Sequence, residues 1–298
     1  MFNIFSYVFG KLFRRVRAAI VHYLLRRARR NLSPLPGGSA ARLTTNLVIK
    51  TGYASTLSFE AEATAFVAAH TTIPVPRIRY SWYEGRYGSL IMDHIEGIQL
   101  KRAWRDMSMP QKLSVMRRLA GFVEQLRAIP QPAPSTTSDL PRSGWIGGPF
   151  GSPFSDAMMT LECVPFGPFA NEHDFNDWRV SRFKCFGDEH GPTAARLAEI
   201  RSSMREDHPI VFTHGDINRR NVLVRIHGDG PDDVEITALL DWEQAGWRPI
   251  YWESRKWIWE DGDTPVWGDF GAKEIGAHYE AEIELDCELQ DISGHIPY

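Results

Sequence analysis

Thr213-His214-Gly215-Asp216-Ile217-Asn218-Arg219-Arg220-Asn221-Val222-Leu223-Val224 is the stretch on which the reading of this chain turns. It runs His-Gly-Asp, then four residues, then Asn and an apolar run. A second segment, Ala238-Leu239-Leu240-Asp241-Trp242-Glu243, follows a short way downstream. Together they set an Asp, an Asn and another Asp on loops beside short apolar strands. Phosphoryl transfer needs such a set: one carboxylate to hold an attacking hydroxyl, and an amide plus a carboxylate to hold magnesium on a nucleotide.

Asp216 is the candidate catalytic base. Standing alone, His-Gly-Asp reads as a turn whose Asp caps the next backbone turn. Asn221 and Asp241 change that reading. Both are hard oxygen donors, and Mg2+ needs only one or two protein side chains because it keeps waters and phosphate oxygens. His214 is expected to hold the loop backbone through a side-chain hydrogen bond rather than to shuttle protons. Arg219 and Arg220 sit inside the loop; Arg220 either offsets phosphate charge or is a solvated surface group. Glu253, after Tyr251-Trp252, is expected to fix the motif loop from behind, with a helix-face charge as the plainer reading. The tryptophans Trp242, Trp247, Trp252, Trp257 and Trp259 read as core and rim.

Upstream, the β-prone run Leu43–Lys50 ends in a lysine that can reach the α- and β-phosphates of a nucleotide. The segment Phe59–His70 has no Gly or Pro and reads as a helix. On it Glu62, sharing a face with Ala65, Phe66 and Ala69, is the first choice to pair with Lys50, and Glu60 is the alternate. No G-x-G-x-x-G precedes Lys50, but Gly38 and Ser39 are small enough for a loop to lie over phosphates.

The 298 residues fit one large or two small domains, and 43% hydrophobic with 24% charged residues allows a packed core. The net charge of −3 conceals an asymmetry: residues 1–50 carry ten Lys/Arg and no acid, leaving 24 basic against 37 acidic side chains in the rest. An acidic body repels nucleic acid, so no nucleic-acid partner is expected. Cys163, Cys185 and Cys287 form no C-x-x-C pair, which points to a reducing, cytoplasmic setting and no zinc site. Residues 1–30 form a basic amphipathic helix by periodicity, too short in its uncharged run to span a membrane. Three readings of it stand open: packing on the fold, peripheral contact with an anionic membrane surface, or an organellar presequence.

Beyond the Pro/Gly-rich loop 31–41, the order is strand, helix, extended segment Arg77–Trp82, a turn at Gly85 and a buried strand Ser89–Met92. Asp93–Gly97 is a connector. Helices follow at Gln111–Ala128, Glu172–Phe186 and Pro192–Arg205, then the motif strands, a Trp-rich helix around Ile250–Glu260 and an acidic helix around Lys273–Gln290.

These residues resemble the aminoglycoside phosphotransferase and choline kinase-like superfamily, and within it the fungal aminoglycoside phosphotransferase-domain group. The carriers, between about Gly38 and Glu284, are Leu47-Val48-Ile49-Lys50, Glu60-Ala61-Glu62-Ala63, Ile73-Pro74-Val75-Pro76, Gly167-Pro168-Phe169, His214-Gly215-Asp216 with Asn221, and Leu240–Trp247 with Tyr251-Trp252-Glu253. The resemblance implies an α+β, two-lobed protein-kinase-like fold: a small antiparallel-sheet N-lobe over 31–93 and a mainly helical C-lobe over 94–298. It implies ATP between the lobes, with Met92, Asp93 and Ile95 at the hinge beside it. It carries over Lys50 and Glu62 as the phosphate-positioning pair, Asp216 as base, and Asn221 with Asp241 on Mg2+. The expected activity is ATP-dependent phosphorylation of a small-molecule hydroxyl on an aminoglycoside-like compound, an amino alcohol or a related metabolite. A non-catalytic nucleotide-binding protein is the alternative. A protein kinase fits less well, since Trp242-Glu243 stands where Phe-Gly would follow the magnesium Asp. Neither the acceptor nor the oligomeric state is encoded in these motifs.

Overall fold

The computed structural model describes residues 19–20, 23, 39–135, 139–160, 164–183, 194–261, 264–276 and 278–292. The amino-terminal helix therefore lies outside the described residues, apart from Ala19, Ile20 and Tyr23, which are helical and exposed. Gly38, Cys163 and Cys185 also lie outside them. Cys287 is half-buried and forms no disulfide. No described helix is long and apolar enough to cross a membrane.

The chain forms two compact units, one running up to Ser58 and taking in Pro76–Ile95, the other Phe59–Val75 with everything from Glu96 onward. The first is an antiparallel sheet of order β1-β2-β4-β3, from β1 (Ala40–Arg42), β2 (Leu47–Tyr53), β3 (Ile78–Glu84) and β4 (Tyr87–Asp93). Ile49 and Ile91 form its apolar centre, with Ala41, Leu43, Leu47 and Tyr80 packed around them. Leu43–Asn46, expected as strand, is a turn: the Leu43 and Thr44 N–H groups donate to the Leu47 carbonyl, and the Arg42 guanidinium donates to the carbonyls of Thr44 and Thr45. Conversely β2 runs on past Lys50, because its ladder with β4 continues unbroken from Leu47↔Asp93 to Tyr53↔Tyr87. Lys50 is thus mid-strand, opposite Leu90, rather than at a strand end.

Helix α1 (Ala54–His70) starts five residues before the expected Phe59 and carries Ala63, Phe66 and Val67 into the core of the second unit. That unit is mainly helical: α2 (Leu100–Ala103), α3 (Met109–Arg127), α4 (Glu172–Phe183), α5 (Ala194–Ser203), α6 (Trp252–Asp261), α7 (Trp267–Phe270) and α8 (Glu280–Ile292). The local signals for α3 are strong. Ser108 and Gln111 form a reciprocal capping box, a proline occupies the first turn, and Val115, Met116, Leu119, Val123 and Leu126 bury one face. The acidic helix begins at Glu280 rather than Lys273, since Gly271–Ile275 is a π-turn closed by the Gly276 N–H on the Gly271 carbonyl.

Two small sheets lie among these helices. One pairs β5 (Ile98–Gln99), β7 (Val222–Ile226) and β8 (Val234–Leu239); the other pairs β6 (Ile210–Thr213) with β9 (Gly246–Pro249). The core between α3 and these strands holds Trp104, Trp145, Trp242, Trp247, Trp257 and Trp267. The tryptophans thus serve chiefly as packing, with Trp257 and Trp267 stacked at 4.3 Å between ring centroids.

Candidate active site

The two motif segments meet through strand pairing. Ladder β6·β9 ends at Thr213↔Gly246, which sets the His214–Asp216 loop beside the turn that follows Asp241. Ladder β7·β8 begins at Val222↔Leu239, and just beyond it the Leu240 N–H donates to the Asn221 carbonyl at 2.8 Å. Asn221 and Asp241 are therefore adjacent because the register leaves them no other place.

Asp216 is buried, and its carboxylate is held by two amides. The Asn218 Nδ2 donates to Oδ1 at 2.9 Å and the Asn221 Nδ2 to Oδ2 at 2.7 Å. Asn218 also accepts the Arg220 N–H at 2.9 Å, so one side chain closes the loop at both ends. The amide of Asn221 is committed through its nitrogen, which leaves its oxygen as the atom suited to a cation.

His214 braces this loop, as expected from its place in the motif. Its Nδ1 accepts the Asp216 N–H at 3.1 Å and its Nε2 donates to the Leu240 carbonyl at 3.0 Å, so one neutral tautomer satisfies both. Burial pushes its pKa down to about 4, which keeps the ring neutral. Glu253 grips the loop from behind: it accepts the His214 N–H at 2.6 Å and the Gly215 N–H at 3.1 Å. Burial lifts the Glu253 pKa to about 7 against the effect of those hydrogen bonds. Arg219 turns away, with its guanidinium over Trp104 and a bond to Thr264 Oγ1 at 2.7 Å, whereas Arg220 is exposed.

Asp241 occupies the position before a 3-10 turn, Trp242–Gln244, in the left-handed region at φ 67°. Asp is one of the few side chains that tolerate this backbone, and such strain gathers at functional sites. The turn brings Glu243 to the same side. Carboxylate oxygens of Glu60, Asp241 and Glu243 lie within 4.8 Å of one another. Three hard, anionic oxygen donors converging on one spot suit a divalent cation of the magnesium type. Glu243 was missed by sequence reasoning, although the Asp-x-Glu spacing at the start of a turn was its available signal.

The two glutamates weighed as partner for Lys50 separate sharply. Glu62 is half-buried and accepts the Ser152 hydroxyl at 3.0 Å, with burial raising its pKa. Glu60 is buried and belongs to the carboxylate group around Asp241. In the first unit, Lys50 is half-buried, Ser39 is exposed, Met92 is buried in β4 and Ile95 is half-buried. The Asp93 carboxylate is taken up by Arg79 at 2.6 and 3.0 Å.

A family model described as the phosphotransferase enzyme family matches residues 13–265. The chain belongs to that family. A comparison with curated proteins returns no match. Among solved structures the chain is similar to the aminoglycoside phosphotransferase APH(3'')-Id from Streptomyces rimosus, at TM-score 0.51 and 17% identity over 92% of this chain and 98% of that one. It is also similar to a putative fructosamine-3-kinase from Haemophilus somnus, at TM-score 0.52 and 14% identity over 91% and 87%. A third likeness is to the protein of the streptomycin-ATP-APH(2'')-IIa ternary complex, at TM-score 0.51 and 13% identity over 93% and 91%. At these identities the likeness establishes the kinase-like fold, in which the small antiparallel sheet and the helical unit take their places.

Proposed function

We propose that this phosphotransferase moves the γ-phosphoryl group of ATP to a hydroxyl of a small molecule. The observation that carries the reading is the Asp216 carboxylate, oriented by Asn218 and Asn221 and backed by a group of three carboxylates on neighbouring elements. In this reading Asp216 holds the acceptor hydroxyl and takes its proton as the bond to phosphorus forms. The two amides fix the carboxylate's direction, so little reorganisation is needed when the acceptor arrives. His214 is a poor acceptor for the proton, because burial disfavours its cation and both ring nitrogens are engaged in the hydrogen bonds that hold the loop presenting Asp216.

Asp241, Glu243 and the Asn221 oxygen would hold Mg2+, which when bound supplies positive charge against the phosphate oxygens. Glu60, rather than Glu62, is the carboxylate of α1 that we assign to this group. Lys50 keeps its assignment to the nucleotide phosphates. ATP as donor draws support from the ternary complex of the third structural relative, and phosphoryl transfer from the family to which the chain belongs. The fungal group is the subgroup its motifs fit best, and aminoglycosides, amino alcohols and sugars are the acceptor classes to screen.

The deciding experiment is phosphate transfer from Mg-ATP across such a panel, with Asp216→Asn beside the wild type. The variant should bind nucleotide and lose roughly 10²–10⁴ of the rate. Normal turnover by Asp216→Asn would remove Asp216 from the mechanism.

A further inference from the structure

Glu253 and Lys256 stand three residues apart on α6 and so share a face of that helix. Glu253 holds the His214–Asp216 loop. Lys256, fully buried, lies on the other half of the site. Its Nζ donates to Asp156 Oδ1 at 2.8 Å and to Gln244 Oε1 at 3.0 Å. Gln244 Oε1 also accepts the Ala157 N–H at 2.8 Å, and the Trp252 indole donates to Asp156 Oδ2 at 3.1 Å. The buried charge is therefore balanced by Asp156, and two bonds of the set, from Lys256 Nζ and the Ala157 N–H, converge on Gln244, the last residue of the 3-10 turn that follows Asp241 and contains Glu243. The backbone carbonyl of Gln244 in turn packs against Gly215, where an added Cβ would lie 2.9 Å away. Lys256 also sits close enough to His214 and Glu253 for its charge to bear on both.

We infer that Lys256 is a positioning residue: through Gln244 it sets the turn bearing Asp241 and Glu243, while Glu253 on the same helix face sets the loop bearing Asp216. One helix thereby fixes the spacing between the base and the metal-holding carboxylates. The inference rests on the proposed phosphotransfer reading of the site. A buried ion pair in itself is a weak contributor to net stability, because desolvation offsets its attraction. Side chains that orient metal ligands from behind, by contrast, alter metal affinity by roughly 10–100-fold when removed.

The test uses full-length protein and Mn2+ as the probe, titrated by electron paramagnetic resonance with a non-hydrolysable ATP analogue. Gln244→Leu leaves the Lys256–Asp156 pair in place and removes the link to the turn. It should weaken Mn2+ binding by roughly tenfold or more while far-ultraviolet circular dichroism stays unchanged. Lys256→Met should weaken binding similarly and add nothing further in the Gln244→Leu background, as expected of residues acting in one chain. Lys256→Arg should restore part of the loss. Should Lys256→Met fail to fold, the Gln244→Leu measurement decides alone. Wild-type Mn2+ affinity in Gln244→Leu, or losses that multiply in the double variant, would overturn the role of Lys256 and leave the function standing. A wild-type protein that binds no Mn2+ with the nucleotide would overturn both.

Discussion

Gly215→Ala probes a point where the two halves of the site pack backbone against backbone. Gly215 has φ 73°, and a Cβ there would meet the Gln244 carbonyl oxygen at 2.9 Å. The left-handed backbone costs an L-residue about 1–2 kcal/mol. The close approach adds about 1–3 kcal/mol, the range for overpacking, because the obstacle is backbone and not a pliable side chain. Retreat is blocked as well, since the Gly215 N–H is held by Glu253. Together the loss is roughly 2–5 kcal/mol, or a melting temperature lower by about 5–15 °C for a chain of this size. The neighbouring Asp216 shifts with the loop, and a displacement on the order of 1 Å costs about 10² in rate. Urea denaturation measures the first effect and steady-state kinetics on an identified acceptor the second. Gly121→Ala, in the exposed face of α3 with nothing within 4 Å of the new Cβ, is the control and should stabilise slightly. A Gly215→Ala protein as stable as the wild type would refute the close-contact reasoning. One that is destabilised but fully active would refute the link from this contact to Asp216.

Other perturbations follow from the same geometry. Asp241→Ala should abolish the rise in melting temperature that Mg-ATP gives the wild type, as read by thermal shift; an unchanged rise would remove Asp241 from the metal group. His208 is buried between Glu172 at Nδ1, 2.8 Å away, and Glu282 at Nε2, 3.1 Å away. Burial opposes its charged form, but the two carboxylates prevail and raise its pKa. Its stabilisation is complete below the unfolded value of about 6.5 and is lost as pH rises through the raised folded value. Melting temperature across that window should therefore fall with pH in the wild type and fall less in His208→Gln. Leu119→Ala, at a fully buried position of α3, should cost about 2–5 kcal/mol by denaturant titration. Arg79→Ala breaks an exposed pair and should leave the melting temperature unchanged.

Much of the framework was legible in residue order because its signals are local. The apolar period of α3, the stop at Ile129-Pro130 and the turn at Gly85 all act within a few residues. The boundaries that moved are those set by partners distant in sequence. Only the ladder with β4 carries β2 beyond Lys50, and only packing in the second unit separates Glu60 from Glu62 on a helix where both looked plausible. The hydrogen bonds expected of His214 and Glu253 are present, His214's because it sits in the loop it holds and Glu253's only because the fold brings α6 back to that loop from 39 residues on. Nothing local marked Asn218 as a brace for Asp216, and nothing linked Asp156 to Lys256 across 100 residues.

Residue types and their spacing determined which chemistry this chain can carry: a carboxylate, an amide and a second carboxylate on loops after apolar strands have few other uses in combination. Only the folded chain decided which carboxylates converge. Side-chain direction depends on strand register and on what each helix face buries, and both are settled by contacts between segments far apart in sequence. Glu60 and Glu243 join Asp241 for that reason, while Glu62, two residues from Glu60, turns to Ser152.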